Sequence, residues 1–120
     1  MLDKALSLAS ALPYKKGQQR VGAIATDKRG RVLAERTNSY TKSHPLQKAY
    51  SLKASENEHK HYLHAEVATI IAAQRLNGGK IHRLYVARSS KKGQHLPSMP
   101  CKVCAMAIKE AGVEGVIYHK

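Results

Sequence analysis

Two short stretches decide how this chain is organised: His64-Ala65-Glu66 and Pro100-Cys101-Lys102-Val103-Cys104. They supply one imidazole and two thiols, which are zinc-type ligands, and a carboxylate two residues after the histidine. Three protein ligands leave one position of a tetrahedral zinc ion open for water, as in catalytic rather than structural sites. The pKa of a water bound there falls to about 7, so hydroxide is available at neutral pH. The two stretches therefore predict a catalytic zinc site.

Local spacing indicates which side chains bind the metal. Cys101 and Cys104 are three residues apart, so both lie on one face of a helix. The first turn of a helix also favours the thiolate form. His64 begins another helix, and Glu66 follows roughly 200° further around it, which is a poor position for a fourth ligand. We expect His64, Cys101 and Cys104 to bind zinc and Glu66 to contact the water.

Two other interpretations of the cysteine pair remain open. Cys-x-x-Cys is also the motif of redox dithiols, although that reading leaves His64 and Glu66 unexplained. A structural zinc site would need a fourth ligand, for which His59 and His61 are candidates. The chain has seven histidines, so such spacing also arises by accident.

Length and composition set the class of protein. At 120 residues with 42% apolar residues, the chain fits one globular domain over residues 1–120. Phe and Trp are absent, which predicts an aliphatic core. The start of the chain lacks the pattern of a signal peptide, and no apolar run is long enough to span a membrane. We therefore expect a cytoplasmic protein with no membrane association.

The net charge is strongly positive, with 21 basic and 8 acidic residues giving +13. Such an excess favours a polyanionic partner, meaning nucleic acid, nucleotides or an acidic protein. A solvated basic surface is the alternative, because the charges are spread along the chain and mark no single groove.

Hydrophobic periodicity and turn residues predict the order α-β-β-α-β-α-β. Polar segments at about 37–62 and 88–98 are interpreted as loops. The hairpin pairs antiparallel and the later strands arrive through helical crossovers, which gives a mixed sheet with helices on its faces. The predicted elements are helices at 3–12, 64–77 and 101–111 and strands at 21–25, 32–34, 84–87 and 116–118.

His-x-Glu followed by Pro-Cys-x-x-Cys is the signature of zinc-dependent base deaminases, and the chain resembles the cytidine and deoxycytidylate deaminase superfamily. The resemblance covers nearly the whole chain and implies an α/β fold, the cytidine-deaminase-like three-layer α/β/α arrangement. It also implies one zinc ion per chain and a proton-shuttle role for Glu66. The family usually adds a helix and a fifth strand after the position of Tyr118, so we expect a minimal sheet with a bare edge. A bare edge and the family's habit of assembly predict a homo-oligomer.

The resemblance also implies substrate contacts. Asn38, after the hairpin, corresponds to a residue that binds the sugar, and the alternative is an ordinary turn residue. The backbone of Ala65 and the peptide of Met99 correspond to groups that hold the base edge. The loop around His44 is similar to that of small phage-encoded members, and His44 with Lys42 is a candidate phosphate contact. Solvated loop residues are the alternative for both.

Three functions follow from these observations. The first is deamination of a free cytosine nucleoside or nucleotide, because the stretch 105–118 looks like deoxycytidylate deaminases. The second is deamination of cytosine or adenine in single-stranded DNA or RNA, with Tyr40, Tyr50 and Tyr62 as candidate stacking residues. Because Phe and Trp are absent, core filling is the favoured alternative for most tyrosines. The third is a catalytically silent module that binds nucleic acid, against which the intact Glu66 argues.

Overall fold

The computed structural model describes residues 1–40, 64–77 and 80–120. Within these ranges every predicted helix and strand is present, with ends shifted by a few residues. One additional strand forms, β4. The elements are α1 (Leu2–Ser10), β1 (Arg20–Thr26), β2 (Val32–Thr37), α2 (Ala65–Asn77), β3 (Arg83–Ser89), β4 (His95–Leu96), α3 (Lys102–Glu110) and β5 (Gly115–Tyr118).

The strands form one mixed sheet in the order β2-β1-β3, with β4 and β5 both paired to β3. β1 runs antiparallel to β2 and to β3, whereas β5 runs parallel to β3. The turn of the β1–β2 hairpin contains Gly30 at φ 78°, a conformation that glycine adopts without steric cost. The antiparallel hairpin and the later strand joined by a helical crossover are therefore as predicted.

The predicted loop over residues 88–98 is wrong at 88–89 and at 95–96, which are strand residues. Arg88 and Ser89 continue β3, and they pair antiparallel with Leu96 and His95 of β4. A tight turn links them, in which the Ser90 N–H donates to Gln94 O at 2.8 Å. Strand pairing uses backbone groups, so a polar sequence with little β signal still joins the sheet when its partner lies beside it.

The helices lie on both faces of the sheet, in agreement with the predicted three-layer arrangement. Alternate residues of one strand point to opposite faces, and in β3 Leu84 and Val86 belong to one core while Tyr85 and Ala87 belong to the other. α1 covers the second face. The first face is covered by α2 and α3, whose buried members are Ala65, Val67, Ile70, Ala72, Ala73, Cys104, Ala107 and Ile108. The core is aliphatic, as the absence of Phe and Trp predicted.

Close approach of α1 to the sheet depends on Gly22 in β1. A Cβ atom at this position would lie 2.3 Å from Ala5 O and 3.1 Å from Ala9 N. These are backbone atoms of α1, so any larger side chain would push the helix away. On the other face, Thr69 Oγ1 donates to Ala23 O at 3.2 Å and ties α2 to the same strand.

A buried arginine joins the end of α1 to the end of β3. Arg20 is only 7% exposed, and its Nη1 donates to Ser10 O at 3.1 Å and to Leu12 O at 2.9 Å. Its Nη2 donates to Ser89 Oγ at 3.3 Å. The cation thus satisfies carbonyls left free where the helix ends. This residue serves the fold and does not belong to a solvated basic surface.

Two strands lie at the edges of the described sheet. Among the described residues, β2 pairs only with β1 and β5 pairs only with β3. No helix within the described ranges is long and apolar enough to cross a membrane.

Candidate active site and metal centre

Two helix N-termini bring the predicted metal ligands together. His64 immediately precedes α2, and its carbonyl accepts the N–H of Ala68 at 3.0 Å. Cys101 is the N-cap residue of α3, with its carbonyl accepting the N–H of Ala105 at 2.8 Å. Cys104 lies in the first turn of α3 and is fully buried. The positive end of each helix dipole favours anionic groups at these positions.

The distances between the three side chains fit a zinc ion. His64 Nδ1 lies 3.2 Å from Cys104 Sγ and 3.6 Å from Cys101 Sγ, and all three ligand atoms are within 4.8 Å of one another. Zinc–nitrogen and zinc–sulfur bonds at a tetrahedral angle place N and S about 3.6 Å apart. Across residues 1–40, 64–77 and 80–120, this is the one group of three or more such side chains close enough to hold a metal.

The thiols interact strongly with each other. A hydrogen bond from Cys104 lowers the pKa of the Cys101 thiol to about 3, and a hydrogen bond from His64 acts in the same direction. The same contact with Cys101, together with burial, raises the pKa of Cys104. Metal ligation requires thiolates, so Cys101 already has the form that a zinc ion binds, and Cys104 must release a proton.

Glu66 lies in the first turn of α2 with only 7% of its surface exposed. Burial raises the pKa of its carboxyl, while the nearby His64 and a hydrogen bond with Cys104 oppose that rise. The carboxylate is therefore held beside the metal-ligand side chains without being one of the three. A buried carboxyl with a raised pKa next to a metal site is suited to proton transfer.

A cavity of about 290 Å³ opens beside this cluster. Its walls come from the ends of β1, β2 and β3, from the start of α2 and from the segment before α3. The described residues that line it are Gln19, Val21, Asn38, Ser39, Tyr40, His64, Ala65, Glu66, Val86, Arg88, Pro97, Ser98, Met99 and Cys101.

Three of the four predicted substrate-binding residues lie in the wall of the cavity. Ala65 is fully buried, and Met99 is 72% exposed and lies at the rim. Asn38 Oδ1 accepts the N–H of Val21 at 2.9 Å, and its Nδ2 donates to Gln19 O at 3.0 Å. Asn38 thus has the structural role of a turn residue as well as a place in the wall. His44 lies outside the described residues.

Several other residues named from the sequence also lie outside the described ranges. The structure therefore leaves the interpretations of these side chains as phosphate contacts, stacking residues or a fourth metal ligand as predictions. They are Lys42, Tyr50, His59, His61 and Tyr62.

Ser98 and Arg88 are two of the wall residues that the sequence did not indicate as part of a site. Ser98 is 6% exposed, and its hydroxyl donates to Val86 O and accepts the N–H of His119, both at 2.9 Å. Arg88 lies on β3, two residues after Val86. Alternation from Leu84 through Val86 is the signal that would have placed Arg88 on the same face, had the strand been extended.

Comparison with known proteins supports zinc as the cofactor of this chain. A family model described as the zinc-binding region of cytidine and deoxycytidylate deaminases matches residues 1–120. No match to this chain is found among the curated proteins.

Solved structures show the same fold. The cytidine deaminase from Mycobacterium tuberculosis is 25% identical, with a TM-score of 0.63, and the match covers 99% of this chain and 81% of that one. The cytidine deaminase from Mycobacterium leprae is 21% identical, with a TM-score of 0.60 and coverage of 97% and 82%. With the family model spanning the whole sequence, this chain belongs to the cytidine and deoxycytidylate deaminase family and is a zinc-dependent deaminase.

Proposed function

We propose that this protein hydrolytically deaminates a free cytosine nucleoside or nucleotide, such as deoxycytidine or its monophosphate. The observation that carries the proposal is the burial of Glu66 beside three metal-ligand side chains in the wall of one cavity. The similarity to structures described as cytidine deaminases supports cytosine as the base. The cavity volume of about 290 Å³ is near the lower end of the roughly 300–1,000 Å³ usual for small-molecule sites, which suits one nucleotide.

The reaction replaces the amino group at C4 of cytosine with oxygen from water, so one water is consumed and one ammonia is released. His64, Cys101 and Cys104 would hold the zinc ion, which would lower the pKa of a bound water to about 7. We assign the proton transfers to Glu66, which takes a proton from the attacking water and gives it to the ring nitrogen. The same carboxylate then carries a proton to the departing amine. Its raised pKa favours transfer in both directions.

The remaining walls of the cavity would hold the substrate. The backbone of Ala65 and the peptide of Met99 are assigned to the edge of the base, and Asn38 to the sugar. Ala65 lies next to both His64 and Glu66, so its backbone is close to the reacting atoms. The assignment of His44 to a substrate phosphate stays a prediction.

A polymer substrate is the second candidate, and one observation favours it. The net charge of +13 is the electrostatic footprint expected of a protein that binds single-stranded DNA or RNA. Steeply salt-dependent binding to oligonucleotides would support this candidate, because phosphate contacts release counterions.

The test is a deamination screen of the zinc-loaded protein by mass spectrometry. Its substrates are cytidine, deoxycytidine, their monophosphates, adenosine, and single-stranded DNA and RNA. We expect turnover of a free cytosine species, and a loss of about 10²- to 10⁴-fold in the variant Glu66→Gln with zinc retained. Glu114→Gln is the matched control, since Glu114 is 53% exposed and lies outside the cavity wall.

Other results of the screen would contradict the proposal. Turnover of oligonucleotides alone would transfer the assignment to the polymer substrate. Full activity in Glu66→Gln would remove the assigned proton shuttle, and a zinc-loaded protein that acts on none of the substrates would refute the function as proposed.

The proposal includes a cytoplasmic homo-oligomer. Cys101 and Cys104 are assigned to the metal rather than to a disulfide, and cysteines used in this way are typical of proteins in a reducing compartment. The outer edges of β2 and β5 are without a partner strand in the described part of the sheet, and an unpaired edge is a template for association. Light scattering after size-exclusion chromatography should show an oligomer at micromolar concentration, and a monomer alone would contradict this.

A further inference from the structure

The cavity beside the metal-ligand cluster has one permanently positive side chain among its described wall residues, Arg88. It lies on β3 on the same face as Leu84 and Val86, two residues beyond Val86 toward the end of the strand. Leu84 and Val86 belong to the core on this face of the sheet. Arg88 follows them on the same face and lies in the wall of the cavity.

The guanidinium of Arg88 makes no hydrogen bond or ion pair with any residue that the structure describes. Its Nε is shielded from solvent and has no hydrogen-bond partner there. The Nε of Arg20, on the neighbouring strand, has no hydrogen-bond partner either, but the Nη1 and Nη2 of Arg20 donate to backbone carbonyls and to a serine hydroxyl. A partly buried cation without a partner is costly. Arg20 is accounted for by the fold, whereas Arg88 is not.

The position of Arg88 relative to Asn38 indicates what it faces. Arg88 is directly opposite Val21 in the pairing of β3 with β1. On its other side, Val21 donates its N–H to Asn38 Oδ1. Val21 thus has Arg88 on one side and Asn38 on the other, and all three line the same cavity. Arg88 is therefore close to the wall assigned to the sugar.

We propose that Arg88 binds the phosphate of a cytosine nucleoside monophosphate, so that the enzyme prefers the nucleotide to the nucleoside. This inference rests on the proposed function and names its substrate class. The phosphate is attached to the sugar, so a sugar beside Asn38 brings the phosphate toward Arg88. Guanidinium groups bind phosphate oxygens through paired, charge-assisted hydrogen bonds.

The first experiment compares kcat/KM for deoxycytidine 5′-monophosphate with kcat/KM for deoxycytidine. We expect the wild-type enzyme to prefer the monophosphate, and Arg88→Gln to lower the ratio of the two values by about 10- to 100-fold. Arg88→Lys, which keeps the charge without the paired donors, should lower it less. Arg83→Gln is the matched control, since Arg83 is exposed on the same strand and outside the cavity wall.

An unchanged ratio in Arg88→Gln would overturn the proposal. So would an equal loss of activity on both substrates, because that result would assign Arg88 to the structure of the site. If Arg88→Gln lowered kcat/KM equally for the monophosphate and for a single-stranded oligonucleotide, Arg88 would bind a backbone phosphate of the strand as well. That result would overturn the preference for a free nucleotide. Thermal unfolding of each variant identifies a change that merely destabilises the fold.

A binding measurement separates this inference from the proposed reaction. Calorimetry with the product pair deoxyuridine monophosphate and deoxyuridine requires no turnover. We expect the monophosphate to bind more tightly to the zinc-loaded wild type, and the advantage to fall about 10- to 100-fold in Arg88→Gln. If the screen shows no deamination, the proposed function fails, and this comparison still decides the role of Arg88. Equal affinity for the two compounds in the wild type would overturn the inference.

Discussion

The two ends of the sheet each have a cavity, and the cavities are nearly equal in volume. One of about 290 Å³ lies beside the metal-ligand cluster, and the other, of about 310 Å³, lies at the opposite end near the β1–β2 turn. Both have basic residues in their walls. Size and positive charge therefore do not distinguish the site of catalysis from an ordinary surface depression.

The difference lies in burial and in pairing. At the opposite end Asp27 pairs with Arg31 and His82 pairs with Glu114, and each pair has one side chain more than half exposed to solvent, where such contacts contribute little energy. At the active end the carboxylate of Glu66 is buried beside three convergent metal ligands. Burying a carboxylate costs free energy, and the fold alone gives no reason to bury Glu66. The buried carboxylate therefore identifies the functional end of the sheet.

The largest effect should come from removing a metal ligand. Cys104→Ala deletes a buried thiol from the cluster, so we expect loss of stoichiometric zinc, loss of all detectable deamination and a lower melting temperature. Metal analysis by mass spectrometry, activity and thermal unfolding measure the three quantities. His82→Ala, at the opposite cavity, should keep zinc and activity. Full zinc content in Cys104→Ala would show that the ligand set is wrong.

A smaller effect should follow from Asn38→Ala, which tests whether this residue acts in the fold as well as on the substrate. The change leaves the N–H of Val21 and the carbonyl of Gln19 without their side-chain partners. We expect the free energy of unfolding to fall by about 1–3 kcal/mol and KM to rise. Denaturant unfolding and steady-state kinetics measure the two effects.

Asn38→Asp is the control for that variant, because it keeps an acceptor for the Val21 N–H but loses the donor to Gln19. It should retain more of the stability than Asn38→Ala. A loss of stability with KM unchanged would leave Asn38 with a structural role alone.

The smallest effect should come from the opposite end, through Asp27. Hydrogen bonds from the backbone N–H of Arg31, and further contacts with Arg31 and Arg29, lower the pKa of this carboxyl below its usual 3.8. A lowered pKa in the folded state means that the carboxylate stabilises the fold above pH 3.8, and that this contribution is lost as pH falls through the lowered pKa. Asp27→Asn should therefore melt slightly lower than the wild type at neutral pH.

The pH dependence of that difference is the test. Thermal unfolding from pH 7 down to about 3 should show the melting temperatures of the wild type and Asp27→Asn converging as the wild-type carboxyl is protonated. The deamination rate at pH 7 should be the same in both proteins. If the difference in melting temperature widened as the pH fell, the carboxylate of Asp27 would not stabilise the fold. If Asp27→Asn lost deamination activity, the cavity near the β1–β2 turn would take part in function.

Much of the site could be predicted from local sequence. The spacing of Cys101 and Cys104, and the start of a helix at His64, depend on interactions within one or two turns, and the structure brings their ligand atoms within 4.8 Å of one another. The hairpin with its turn at Gly30 follows for the same reason. β4 could not be predicted, since the two residues His95–Leu96 are too short a segment to show a strand pattern and form a strand only because β3 lies beside them.

Three arginines show what only the tertiary structure decided. By sequence, Arg20, Arg83 and Arg88 are three basic residues near the ends of apolar runs. In the structure one ties α1 to the sheet, one is exposed, and one lines the cavity. The sequence by itself determined the metal-binding residue types, the order of the elements other than β4, and the aliphatic core, because these depend on side-chain chemistry and short-range spacing. The place of each cation depended on strand register, which fixes the face of every residue across long separations in the chain.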